Sequence, residues 1–116
     1  MLKTFEDKLS FSLLRELKKF GKRVKDYGFN FFVHDNDGEE ILYIQGDHFK
    51  SDKTAAKAVC DELFSGDEDY FHDRDKRFFA TKLRTTNEKE YAAIIDTGSK
   101  QEINDIDFLK ELLLIF

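Results

Sequence analysis

The stretch 28–49 constrains the fold of this chain more than any other. Two apolar runs rich in Phe, Val and Ile flank the tetrapeptide Asp-Asn-Asp-Gly at positions 35–38. β-Branched and aromatic residues favour strands, and Asp-Gly between two such runs is typical of a tight turn. The stretch therefore predicts a β-hairpin, with one helical pattern before it and another after it.

Both faces of this predicted hairpin are apolar. A two-residue turn at Asp37-Gly38 sets the pairs, which are Phe31 with Ile44 and Val33 with Leu42 on one face, and Phe32 with Tyr43 and His34 with Ile41 on the other. The first face is the predicted core. The second is too apolar for a solvent-facing side, so either a second layer covers it or it is a contact surface.

Three segments have the spacing of helices. Residues 4–27 carry apolar side chains at intervals of three and four, starting from a Thr N-cap and stopping before a Gly. The same pattern recurs between the Ser-Asp pair at 51–52 and Gly66. The last segment, 104–116, is capped and then apolar almost all round, which predicts burial on more than one side.

A second pair of strands is predicted at 78–85 and 91–97, joined by a turn near 87–89. The turn pairs Leu83 with Ala93 and Thr81 with Ile95 on an apolar face, and leaves Lys82, Arg84 and Asp96 on a polar one. The element order α-β-β-α-β-β-α predicts a single α+β domain over residues 1–116. Its antiparallel sheet would have four to five strands, with helices packed mainly on one face.

The composition is typical of a soluble folded protein. The chain has 116 residues, of which 41% are apolar and 15% aromatic, and this is enough for one core. Its single cysteine cannot form an internal disulfide, and its first residues lack the apolar core of a signal peptide. No apolar run approaches the roughly 20 residues of a membrane span. We therefore expect a cytoplasmic protein that does not enter a membrane.

The net charge of −5 conceals two regions of opposite sign. Residues 1–27 carry eight positive and four negative side chains. The candidate contacts to nucleic-acid phosphates lie in the basic half of the first predicted helix and are Lys18, Lys19, Lys22, Arg23 and Lys25. Residues 61–75 instead carry seven acids and one base. A long surface loop is predicted over 67–77, and such loops often carry function.

The leading hypothesis is a non-enzymatic protein-interaction module. It would be a small acidic inhibitor or chaperone-like protein that binds a protein partner, forms a homodimer, or does both. The second hairpin face, the aromatic acidic loop and the apolar C-terminal segment motivate it. The predicted partner-binding residues are Phe32, Tyr43, Asp67, Glu68, Asp69, Tyr70 and Phe71. Nucleic-acid binding through the first helix is the alternative, although the acidic remainder of the chain would repel phosphates.

Patterns that would predict catalysis or a metal site are incomplete. The segment Ile-Ile-Asp-Thr-Gly-Ser at 94–99 resembles the active-site signature of aspartic proteases, in which two such aspartates activate water. That family needs further strands after the motif, whereas the remaining residues here have a helical pattern. A calcium loop centred on Gly38 lacks an oxygen ligand at its first and twelfth positions. A site at His72, Asp73 and Asp75 has no identifiable nucleophile, so we predict no enzyme, no metal and no cofactor.

Overall fold

Two helices and six strands are present in the part of the chain that the computed structural model describes, which comprises residues 4–5, 11–47, 49–72, 77–85 and 89–98. In chain order they are β1 (Thr4–Phe5), α1 (Phe11–Asp26), β2 (Asn30–Asp35), β3 (Glu40–Ile44), α2 (Lys53–Ser65), β4 (Tyr70–His72), β5 (Phe78–Thr85) and β6 (Glu90–Asp96). The predicted C-terminal helix over 104–116 lies outside these residues.

All six strands belong to one sheet. Its order is β1-β5-β6-β2-β3, and β4 also pairs with β5. Strands β5, β6, β2 and β3 are antiparallel neighbours, whereas β1 lies parallel to β5. The predicted α+β class with an antiparallel sheet is therefore confirmed. The element order differs because β1 and β4, which have only two and three residues, were not predicted.

The first hairpin has the predicted register over most of its length. The confirmed pairs are Phe31 with Ile44, Phe32 with Tyr43 and Val33 with Leu42. A bulge near the end of β2 then sets His34 opposite Glu40 instead of its predicted partner. The turn is the cause: the Gly38 amide donates to the Asp35 carbonyl at 3.0 Å, and the Asp35 amide donates to the Glu39 carbonyl at 2.9 Å. The loop is thus one residue longer than predicted.

The second hairpin, β5 and β6, has a register that differs by two residues from the predicted one. The observed pairs are Leu83 with Tyr91, Thr81 with Ala93 and Phe79 with Ile95. A shift of two leaves every side chain on its predicted face, because side chains alternate along a strand with a period of two. The alternation of apolar residues therefore fits both registers equally well.

Helices cover both faces of the sheet, so the prediction that they pack mainly on one face is wrong. One core joins α1 to the sheet and includes Leu17, Phe20, Val24, Phe31, Val33 and Ile95. The other joins α2 to the sheet and includes Ala56, Val59, Cys60, Leu63, Phe32, Ala92 and Ile94. Strand β2 contributes to both cores because its successive side chains point to opposite faces. Lys82 and Asp96, on the predicted polar face, are consequently buried.

Helix α1 begins at Phe11, so the predicted helix start at Thr4 is wrong. The chain forms β1 there and extends the sheet beside β5. Within α1, Gly21 lets the sheet approach closely. A Cβ atom at this position would clash with Ile44 Cδ1 and would lie 2.8 Å from Phe31 Cδ2. This glycine, which weakens the helix pattern, therefore serves close packing.

Helix α2 confirms its sequence prediction in detail. It starts after Asp52, whose carboxylate accepts a hydrogen bond from the Ala55 amide at 2.9 Å, and it ends at Gly66. The loop predicted over 67–77 is interrupted by β4, in which Tyr70 pairs with Thr81. The irregular chain between α2 and β4 is consequently short.

Candidate functional site

The acidic segment between α2 and β4 is held by its backbone. The Asp69 carbonyl accepts hydrogen bonds from the Lys82 amide at 2.9 Å and the Thr81 hydroxyl at 3.2 Å. The Lys82 ammonium group donates to the Gly66 carbonyl at 3.3 Å. These bonds attach both ends of the segment to β5 without using a carboxylate. The three exposed carboxylates, which have no ion pair or hydrogen bond within the described chain, are Asp67, Glu68 and Asp69.

Two more exposed carboxylates precede this segment, near the C-terminal end of α2. We call the five together the acidic surface: Asp61, Glu62, Asp67, Glu68 and Asp69. Helix α2 has no basic side chain in its last turn to neutralise them. The surface therefore presents a concentrated negative charge on a backbone that is already ordered.

The two aromatic residues predicted to accompany these acids lie in β4. Tyr70 is half-buried and packs against the core beneath α1. Phe71 pairs with Ala80 of β5, and its side chain lies outside the described atoms. Tyr70 therefore anchors the end of the acidic segment, while the acids themselves face solvent.

The structure places the predicted contact residues Phe32 and Tyr43 beneath α2. Phe32 is 0% exposed and stacks on Tyr43 with ring centroids 4.8 Å apart. The Lys53 ammonium lies 4.5 Å from the Tyr43 ring centroid and forms an ion pair with Glu40 at 3.4 Å. The Tyr43 hydroxyl also contacts Ser51. Of the two interpretations of this hairpin face, a covering second layer is the one observed, and Phe32 belongs to the core.

The basic side chains of α1 form a second charged surface. Leu17, Phe20 and Val24 face the sheet and are buried. The outer side carries six exposed cations, which we call the basic face: Arg15, Lys18, Lys19, Lys22, Arg23 and Lys25. The ion pair between Lys19 and Glu16, at 3.9 Å, joins two largely exposed side chains and contributes little. All five predicted nucleic-acid contacts therefore lie on one exposed helix face.

A buried ion pair that sequence reasoning missed lies where β6 ends. Asp96 is 0% exposed, and its two carboxylate oxygens accept from Arg77 Nε at 2.8 Å and Arg77 Nη2 at 3.1 Å. The Gly98 amide donates to the same carboxylate at 2.9 Å. The Arg77 carbonyl accepts from both the amide and the hydroxyl of Thr97, each at 2.8 Å. The guanidinium group also lies 5.0 Å from the Phe78 ring centroid.

This arrangement gives a structural role to the Asp-Thr-Gly motif. The carboxylate of Asp96 is engaged by Arg77 and by the Gly98 amide, and Thr97 bonds to the carbonyl of Arg77, the residue that precedes β5. Gly98 has a φ of +69°, a backbone conformation that residues with a side chain rarely adopt. It also lies against the Phe49 ring. The motif thus ends a strand and joins it to its neighbour. The sequence signal for this ion pair was an acidic residue at the end of one predicted strand and an Arg just before the strand that pairs with it.

His34 is a buried histidine without a hydrogen-bond partner in the described chain. It is 3% exposed, neither ring nitrogen is bonded, and its ring meets Phe32 edge-on at 6.0 Å. Burial lowers the pKa of His34 below its ordinary 6.5, and the Glu40 carboxylate, the Gly38 backbone and the carboxylates of Asp35 and Asp61 only partly oppose this. Burial therefore favours the neutral form of the imidazole in the fold.

Cys60 lies in the same layer and is buried. Burial, with the neighbouring carboxylates, raises the pKa of its thiol to about 11. A protonated, buried thiol is a poor nucleophile, since the thiolate is the reactive form. Within the described residues, no three His, Cys, Asp or Glu side chains converge in a way that would hold a metal ion. Of the three residues His72, Asp73 and Asp75, only the backbone of His72 lies within that part of the chain.

Neither of the two described helices is both long and apolar enough to span a bilayer. Comparisons of the chain with protein-family models, with curated proteins and with solved structures found no match. The functional argument for this protein therefore depends on its own side chains.

The buried ion pair should be important for stability. Replacing Arg77 by Met leaves the Asp96 carboxylate buried without its cation, which should lower the free energy of unfolding by about 3–5 kcal/mol. Arg84→Met is the matched control, because the pair of Arg84 with Glu90 at 3.2 Å is partly exposed to solvent and should contribute at most about 1 kcal/mol. Urea unfolding measures both. Equal effects of the two substitutions would contradict the structural role of Asp96.

His34 should make stability depend on pH. Its pKa in the folded state is below its unfolded value of 6.5, so the unfolded chain binds the extra proton first. The free energy of unfolding should therefore fall as pH is lowered through 6.5 and level off below the folded-state pKa. His34→Leu should remove this component. The measurement is the urea midpoint of both proteins between about pH 5 and pH 8, and parallel pH profiles would show that His34 is not the group responsible.

Proposed function

We propose that this chain is a non-enzymatic protein-interaction module, a small acidic inhibitor or chaperone-like protein that binds a basic surface of a protein partner. The observation that supports this is the attachment of the acidic segment to β5 through backbone carbonyls. Its carboxylates remain exposed and unpaired within the described chain.

An ordered acidic segment is well suited to binding Lys and Arg side chains. Ordering a flexible loop upon binding costs conformational free energy, and a segment already fixed to β5 avoids most of that cost. Carboxylate–guanidinium contacts are directional and charge-assisted, which gives such a surface selectivity for Arg. The net charge of −5 also accelerates encounter with a basic partner.

The surface that we propose differs from the predicted one in its aromatic part. Phe32 is excluded because it lies in the core beneath α2. Tyr43 is half-buried at the junction of α2 and the hairpin. The acids Asp67, Glu68 and Asp69 therefore carry the proposal.

Neutralising the acidic segment should abolish partner binding without unfolding the protein. The variant combines Asp67→Asn, Glu68→Gln and Asp69→Asn. A matched control with the same change in net charge combines Glu16→Gln, Asp26→Asn and Asp47→Asn, which are exposed and lie outside the acidic surface. Tagged wild type and both variants are used to capture proteins from a lysate, and the captured proteins are quantified by mass spectrometry.

We expect a defined set of basic proteins to be captured by wild type and control and lost with the neutralised segment. Equal capture by the neutralised variant would refute the proposal. Circular dichroism of each variant establishes that the fold is retained.

The exposed basic face of α1 favours nucleic-acid binding as a second candidate function. On duplex DNA, the logarithm of the binding constant should fall linearly with the logarithm of salt concentration, and each lost phosphate contact should make the slope shallower by about 0.9. Lys22→Gln should produce such a change, whereas Lys50→Gln, exposed outside α1, should not. Absence of binding at about 0.05 M salt would exclude this candidate.

A further inference from the structure

The two layers that cover the sheet carry equal and opposite charge. The exposed residues of 14–27, on the α1 side, include six cations and two carboxylates, a net charge of +4. The exposed residues of 52–69, on the α2 side, include six carboxylates and two cations, a net charge of −4. Both counts cover described residues only. The chain is therefore polarised across its sheet.

These charges cannot neutralise each other within one molecule. Helices α1 and α2 pack on opposite faces of the sheet. Since each helix is about 10 Å wide and the sheet lies between them, the two charged surfaces are separated by roughly 20 Å. This exceeds the Debye length of about 8 Å at physiological ionic strength. Each surface is thus electrostatically independent of the other.

We propose that the basic face of α1 binds the acidic surface of a second copy of this chain, so that copies associate head to tail. This inference rests on the proposed role of the acidic surface and names one partner for it. The equal and opposite net charges of the two layers favour a second copy as the partner, because a contact between the layers leaves little uncompensated charge.

The geometry of such a contact differs from that of a symmetric dimer. Two different surfaces meet, so the contact is heterologous, and each added copy leaves one free surface of each sign. Association should therefore continue beyond two copies as concentration increases. Because the side chains involved are solvent-exposed, the individual ion pairs are weak and screened by salt. A basic partner protein would compete with this self-association for the acidic surface.

Sedimentation velocity of the full chain over a range of concentrations tests the proposal. At about 0.01 M salt, where the Debye length is about 30 Å, the weight-average mass should rise with concentration above the 13.7 kDa of one chain. At about 1 M salt, where the Debye length is about 3 Å, it should return to 13.7 kDa. A constant 13.7 kDa at low salt would overturn the proposal, as would a closed dimer that does not grow.

Charge reversal identifies the surfaces. Lys18→Glu with Lys22→Glu removes the net positive charge of the α1 layer, and Asp67→Lys with Glu68→Lys strongly reduces the negative charge of the acidic surface. Each variant alone should sediment as a monomer at low salt, and a mixture of the two should associate again. Asp26→Lys with Asp47→Lys matches the second variant in net charge, leaves the acidic surface unchanged, and should still associate at low salt. Association of either reversed variant alone would show that another surface is responsible.

The outcomes also separate this inference from the proposed function. A wild type that is monomeric at low salt, but still loses its captured partners when the acidic segment is neutralised, would refute self-association only. Self-association without any captured partner would leave a second copy as the sole demonstrated ligand of the acidic surface.

Discussion

The burial of β2 on both faces is the constraint on which the rest of the structure depends. Phe31 and Phe32 are consecutive, are both 0% exposed, and enter different cores. Burying each such side chain contributes about 1.5–3 kcal/mol, so a sheet with either face open would lose a large share of its stability. Both helices are therefore required. The small residues Ala80 and Ala92 let α2 approach the second face closely.

This two-sided burial determines which surfaces remain for function. Both apolar faces of the hairpin pack against helices of the same chain. The buried polar groups stabilise the fold, since Asp96 pairs with Arg77 and the Thr97 hydroxyl donates to the Arg77 carbonyl. What the described chain offers to partners is mainly charge, basic outside α1 and acidic at the end of α2. A protein of this kind binds through electrostatic complementarity, in which strength depends on salt and selectivity depends on where the charges are held.

Much of the architecture was predictable where local chemistry and periodicity agree. Helix α2, with its Asp52 cap and Gly66 stop, follows from capping preferences, and the central pairs of the first hairpin agree with prediction because the bulge offsets the longer loop. The predictions failed where the decisive contacts are distant in sequence. Thr4 has the sequence pattern of a helix cap but lies in β1, which pairs with β5. The register of the second hairpin differs by two residues from the predicted one, because a shift of two leaves the alternation of side chains unchanged. The positions of Asp67, Glu68 and Asp69 at the surface were predictable from their charge, whereas their attachment through Lys82 and Thr81 was not.

The sequence by itself determined the class of fold, the charged segments and the two apolar faces of the hairpin. Those properties depend on residue type and short spacing, which are local. Only the tertiary structure decided that Phe32 is core, that Asp96 is an ion-pair partner, and that α1 and α2 cover opposite faces. The physical reason is that an apolar strand face is equally satisfied by a helix of its own chain or by a partner. Which of the two covers it depends on where the connection after β3 places α2.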